Sequence, residues 1–296
     1  MSNRFKIKNI RKKNGPEVSV RTHEFASPDE QRQFLRDLAI SSEFEMRYRG
    51  LLEYYGKDFI TYKKEKPSDK KRNEFLRIIS KYMTHYLEDD CPSSWKQCQS
   101  SFWEVLIFSF YPDHIKLSPN EQEVEDFLYQ LKRFVRWLDK RNGTSWHSVV
   151  EQYSSEAFPE LKICERIINW IFLNDFPRIH HNDWNLEQDL YRLKQKFNQY
   201  TNQVDSTFKV TSIIGDRVVL TELKTNCTYY IKGLPYEFIL PGIKMNGVIC
   251  NKSGDQTWNW YYTDGIYPSK GEQLEYPVSI KHEGLASHDG VNFFKK

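Results

Sequence analysis

Two short segments hold residue types that could do chemistry. The first is His180-His181-Asn182-Asp183, the densest cluster of possible metal ligands in the chain. Adjacent histidines on a regular element seldom reach one ion, and no His-Glu-x-x-His spacing accompanies them. The run precedes a stretch of helical periodicity, where Asn and Asp serve as caps, so capping and loop structure is preferred over metal or acid–base work. The second segment is Glu222-Leu223-Lys224, at the end of an apolar strand pattern. Glu222 would hold a divalent metal only with a second acid beside it, and Lys224 would then stabilise developing charge. Asp216 is six residues earlier, and Pro112-Asp113 is over a hundred residues earlier in a helical region. Glu and Lys alternating on an exposed strand face is the commoner meaning of such a run.

Other constellations bind rather than react. Lys132, Arg136 and Lys140 are four residues apart and share one helical face. The N-terminus carries Arg4, Lys6, Lys8, Arg11, Lys12 and Lys13. Residues 1–24 sum to +5, which leaves −2 for the rest of a chain whose net charge is +3. Basic sets of this kind meet phosphate backbones or acidic partners, although a solvated face and a poorly ordered terminus are the plainer meanings. Trp258, Trp260 and Tyr262 alternate along a strand pattern and so share a face. They are candidates for base stacking or an interface, against the competing reading of barrel core.

Several chemistries lack their residues. There is no glycine-rich phosphate loop, no Gly-x-Ser-x-Gly elbow and no Cys-x-x-Cys pair. Cys91, Cys98, Cys164, Cys227 and Cys250 are odd in number and widely spaced, so reduced thiols are expected. The expectation is no catalytic residue, no metal and no cofactor.

The elements that must position these residues come from patterning. Ser27-Pro28-Asp29-Glu30 reads as a capped helix start, and Ser42 to Glu45 reads as a second one. Residues 57–70 are polar, contain Pro67 and predict a loop. Phe75, Leu76, Ile79, Tyr82 and Tyr86 mark a helical face, and 94–111 a buried central helix. Ser118-Pro119 with Glu121 predicts the start of a helix that runs to Asn142 and closes at Gly143. Further helices are expected near 145–153, 159–173 and 185–203. From Asp205 the pattern changes to five short strands separated by turns. An aromatic content of 15% supplies apolar volume for a core beside 39% hydrophobic residues. No run of about 18 apolar residues predicts a membrane span, and the basic start has no apolar segment behind it, so a cytoplasmic protein is expected.

These readings give an α+β protein. A mostly helical N-terminal domain is followed by a small antiparallel β-barrel of OB or SH3-like type. The divisions are a basic arm at 1–24, a helical domain at 25–204, a barrel at 205–268 and a tail at 269–296.

Three resemblances bear on function. Glu222-Leu223-Lys224 resembles the E-x-K half of the PD-(D/E)xK nuclease motif, which implies a metal-dependent nuclease. Leu131, Phe134, Trp137 and Leu138 are similar in texture to the DNA-clamping helical domain of tyrosine recombinases, whose Arg/His/Tyr constellation the β-rich C-terminus does not supply. In size and in its Lys/Asn/Ile/Tyr-rich composition, suggestive of an AT-rich genome, the chain resembles phage anti-defence proteins that block the Gabija nuclease complex. That last resemblance implies a non-catalytic inhibitor that binds a protein complex, with homo-oligomerisation possible. A non-enzymatic interaction protein is therefore the expectation; a nucleic-acid-binding regulator is the second reading and a metal-dependent nuclease the third.

Overall fold

The computed structural model describes residues 5–10, 18–46, 50 and 54–274. Within the expected basic arm, β1 (Phe5–Ile10) and β2 (Val18–His23) pair antiparallel, Phe5 opposite His23 and Ile10 opposite Val18. Lys6 and Lys8 lie in β1. Arg4, Arg11, Lys12 and Lys13 lie outside the described residues, as does the tail from 275 onward.

Seven α-helices follow among the described residues. The first, α1 (Pro28–Ser42), starts as its cap predicts: Ser27 Oγ accepts from Glu30 N at 3.2 Å. The expected restart at Ser42 is absent. Ser42 is the last helical residue, and its hydroxyl donates back to Ala39 O at 2.6 Å instead of capping forward.

The predicted loop at 57–70 is largely helix: α2 spans Tyr54–Glu65 and α3 Lys70–Lys81. Polarity misleads here because this helix buries its cations and satisfies them. Arg72 is 2% exposed, donates to Tyr62 O at 2.5 Å and stacks 3.8 Å from the Tyr62 ring. Lys63 is equally buried and pairs with Glu43 at 3.1 Å. Asp58 accepts from Trp95 Nε1 at 2.8 Å and from Arg141 Nε at 2.7 Å. A buried charge persists only when paired and hydrogen-bonded, and each of these is.

A π-helical turn (Tyr82–Tyr86) extends α3. The expected central helix is present as α4 (Ser100–Val105), a π-helical turn (Leu106–Phe110) and a 3₁₀ turn (Tyr111–His114), with Trp103, Leu106 and Ile107 fully buried. Next, α5 (Glu123–Asn142) keeps its apolar stripe inward and ends at Gly143, whose φ is +65°. Ser118 does not cap it. The helix begins five residues later, and the carboxylate that meets Glu123 N is Glu165 Oε1, at 2.7 Å, from the neighbouring helix. The two helices expected at 145–153 and 159–173 are one, α6 (His147–Asp175), which runs through Pro159. Asp139 accepts from Trp146 N at 3.0 Å and His147 N at 2.7 Å and so anchors its start. The last helix is α7 (Leu186–Phe197).

Five strands then follow: β3 (Asn202–Ile214), β4 (Arg217–Glu222), β5 (Thr228–Lys232), β6 (Lys244–Asn251) and β7 (Trp258–Tyr267). They pair in the order β3-β4-β5-β7-β6, and β6 pairs back to β3, so the ring of ladders closes. The expected all-antiparallel sheet is not found. β5 and β7 run parallel, with Ile231 opposite Trp258 and Lys232 opposite Asn259. An odd number of strands cannot alternate direction all the way round a closed ring, so one neighbouring pair must be parallel.

Sheet and helices share one continuous core. Tyr267 OH donates to Asp113 Oδ1 at 2.6 Å, and Phe197 packs on Tyr261 with ring centroids 4.3 Å apart. Residues 268–272 cross back over the helices as a strap. Ser269 N donates to Glu160 Oε2 at 2.6 Å, Lys270 pairs with Glu156, and Glu272 N donates to Ser109 Oγ at 3.2 Å. Gly271 sits so close to Phe108 O that any side chain there would collide with it.

Candidate functional site

Glu222 is a structural group. It is 6% exposed at the end of β4, and its carboxylate accepts from the Thr225 hydroxyl and, at 3.4 Å, from Tyr229 OH. Its backbone closes the same turn: Glu222 N donates to Cys227 O and Asn226 N to Glu222 O, both at 2.9 Å. The Thr225 bond, ahead of those from Ser206 and Tyr229, holds the carboxyl below its ordinary range. Asp216 sits at the other end of β4, and six residues of strand separate the two acids by about 20 Å. Asp113, the other acid considered, is bonded to Tyr267. Lys224 is exposed. Among the described residues no three His, Cys, Asp or Glu side chains are grouped to hold a metal.

His180 and His181 are exposed in the α6–α7 connection. His181 N donates to Arg178 O at 2.8 Å, and Asp183 pairs with Arg178. The cap of α7 is Asn185, whose Oδ1 accepts from Gln188 N at 3.1 Å, two residues beyond the Asn-Asp pair.

The basic face of α5 is partly neutralised. Lys132 meets Glu151 at 3.3 Å, and Arg136 Nε lies 3.2 Å from His147 Nε2. Lys140 is exposed, with no acidic group at ion-pair distance among the described residues.

The aromatic strand does not keep its three rings on one face. Trp258 is paired with inward Ile231 and meets Tyr229 edge-on at 5.1 Å. Trp260 is opposite buried Ile249, meets Phe208 edge-on at 6.0 Å and donates from Nε1 to Thr263 Oγ1 at 2.7 Å. The register then slips, and Tyr262 is opposite Val248, the neighbour of Ile249 on the other face of β6. A bulge inserts one residue and so reverses the alternation beyond it. The two tryptophans therefore pack against the core while Tyr262 turns away. Burial, aided by the Asp264 charge, pushes the Tyr262 phenol up to about 12. Gly247 carries the close approach this bulge needs: its φ is +155°, and a Cβ would strike Tyr262 O.

What the ladders do bring together is the outer face of β3, β4 and β5. Val218 pairs with inward Ile231, so Arg217 and Lys232, one step further along each strand, turn outward. Val219 opposite Tyr230 and Thr221 opposite Thr228 share that face. From β3, Ile214 is opposite Arg217 and Lys209 opposite Thr221. Ile214 is 56% and Tyr230 43% exposed. Tyr236, also exposed, adjoins the β3–β4 turn closely enough that Asp216, after its own neighbour Glu237, raises its phenol. Only the alternation within β4 and β5 signals this surface in the sequence, and its residues are scattered from 209 to 236. Comparison with family models, curated proteins and solved structures gives no match. Among the described residues no helix is long and apolar enough to cross a membrane.

Proposed function

We propose that the protein acts by binding a partner protein rather than by catalysis, through the outer face of β3, β4 and β5. The observation that supports this reading is the set of side chains gathered there: Ile214 and Tyr230, both exposed, beside Lys209, Arg217 and Lys232. Interface energy concentrates on a few large aromatic and basic anchors, and three cations favour an acidic partner surface. We read the sheet as OB-type, a five-stranded Greek-key ring whose second and third strands commonly carry the ligand face; those strands are β4 and β5 here.

Nucleic acid is the second reading, favoured by one observation. The residues that share the face with the three cations, Thr211, Ser212, Val219, Thr221 and Thr228, carry no charge. A stacking tyrosine between basic groups suits a single strand. The test compares the full chain with Tyr230→Ala and with Lys209→Glu/Lys232→Glu. Protein partners are read by crosslinking in cells, and a single-stranded oligonucleotide is read by anisotropy across a salt series. Loss of a hot-spot tyrosine costs about 2 kcal/mol, or about thirtyfold in partner affinity. Oligonucleotide binding that falls steeply with salt and vanishes in the charge reversal would replace the first reading with the second. If neither variant alters any association, the assignment of this face is wrong.

A further inference from the structure

A cavity of about 360 Å³ lies between α3 and α5, away from the β3–β5 face. Its apolar side is Phe75, Tyr111 and Phe127, with Tyr111 stacked on Phe127 at 3.7 Å. Two ion pairs close its walls: Lys116 with Glu74 at 2.8 Å and Lys71 with Asp126 at 2.7 Å. These pairs account for four of the charges lining it.

Two polar groups remain open. The Glu123 carboxylate has no hydrogen-bond or ion-pair partner among the described residues, although it also lines the cavity. Tyr111 is 1% exposed, and its hydroxyl has no hydrogen-bond partner. A buried hydroxyl left so costs about 1–3 kcal/mol. Burial, then the charges of Glu165, Glu123, Glu125 and Glu74, keep this phenol protonated. Its oxygen therefore offers neutral lone pairs on the carboxylate-rich side.

We propose that this cavity binds an organic ammonium ion, a primary amine carried on a small aromatic or aliphatic body. The ammonium would donate to the Glu123 carboxylate and the Tyr111 oxygen. Its hydrocarbon part would lie on Phe75 and Phe127, where a cation near an aromatic face gains further attraction. An anion would meet Glu123 with its charge uncompensated, and a neutral ligand would leave that charge as it is. Too few ligating side chains are grouped for a metal.

Calorimetric titration of the full chain with phenethylamine, 2-phenylethanol and 3-phenylpropionate tests this. The amine should bind at least about tenfold more tightly than either analogue, as a charge-assisted hydrogen bond implies. Glu123→Gln should remove about tenfold of that affinity. Tyr111→Phe should weaken the amine a few-fold while folding at least as stably, because the orphaned hydroxyl is gone. Circular dichroism checks both folds. No amine binding at millimolar concentration, equal binding of the three probes, or undiminished binding by both folded variants would overturn the proposal.

Discussion

Replacing Asp113 by Asn should change how stability depends on pH, in a defined direction. Burial pushes this carboxyl from its ordinary 3.8 up to about 7; the bond from Tyr267 OH works against that rise, and the Asp264 charge adds to it. A group that holds its proton more tightly in the folded chain contributes stability that is fully present below about pH 4. That stability is lost as pH rises through about 7. Each pH unit between the two values is worth about 1.4 kcal/mol, so the limit is about 4 kcal/mol; Asp113 keeps some solvent contact, and about 2 kcal/mol is the working figure. Its neighbour His114 slopes the other way. Burial lowers His114 from 6.5 to about 4, so its contribution is present above pH 6.5 and lost on acidification. Subtracting the variant from the parent isolates Asp113, since an Asn amide oxygen still accepts from Tyr267 without titrating. Urea denaturation followed by tryptophan fluorescence should show Asp113→Asn gaining about 2 kcal/mol on the parent between pH 4 and pH 8. A parent–variant difference that stays level across that range would refute the reasoning.

Asp58→Ala should cost about 3 kcal/mol in denaturant unfolding, because it strands Trp95 Nε1 and the Arg141 guanidinium together. Gly247→Ala should lower the melting temperature sharply and cost about 3 kcal/mol or more, since the added Cβ meets Tyr262 O. Glu222→Ala should cost about 1–2 kcal/mol by releasing the 223–227 turn, and the folded variant should keep its partner binding. If the partner is a defence complex such as Gabija, co-expression should yield a co-purifying assembly that Tyr230→Ala loses; recovery of the assembly with that variant would count against the β3–β5 face.

The helices that announced themselves did so by local signals that tertiary packing left alone, such as Ser27 with Glu30 and the glycine after Asn142. Those that did not were decided at a distance. Residues 54–65 look soluble until Asp58, Lys63 and the neighbouring Arg72 find partners on other elements. The start of α5 is set by Glu165, more than forty residues away. Strand positions were legible from turns and alternation, yet the facing of Tyr262 was not, because a single bulged residue reverses parity without leaving a pattern. The same holds for the β3–β5 face, whose members meet only through cross-strand register.

The strap at 268–272 has a thermodynamic consequence. It ties the strand that closes the ring to Glu160 and Glu156 of α6 and to Ser109 of the central helix. Neither half can open without also breaking contacts that hold the other, so local unfolding of one raises the free energy of both. Residues 204–207 are themselves laced to 246–249, which leaves no slack between helices and sheet. Heating should therefore produce one calorimetric transition whose van't Hoff and measured enthalpies agree. Gly271→Val, which drives a side chain into Phe108 O, should split that transition in two.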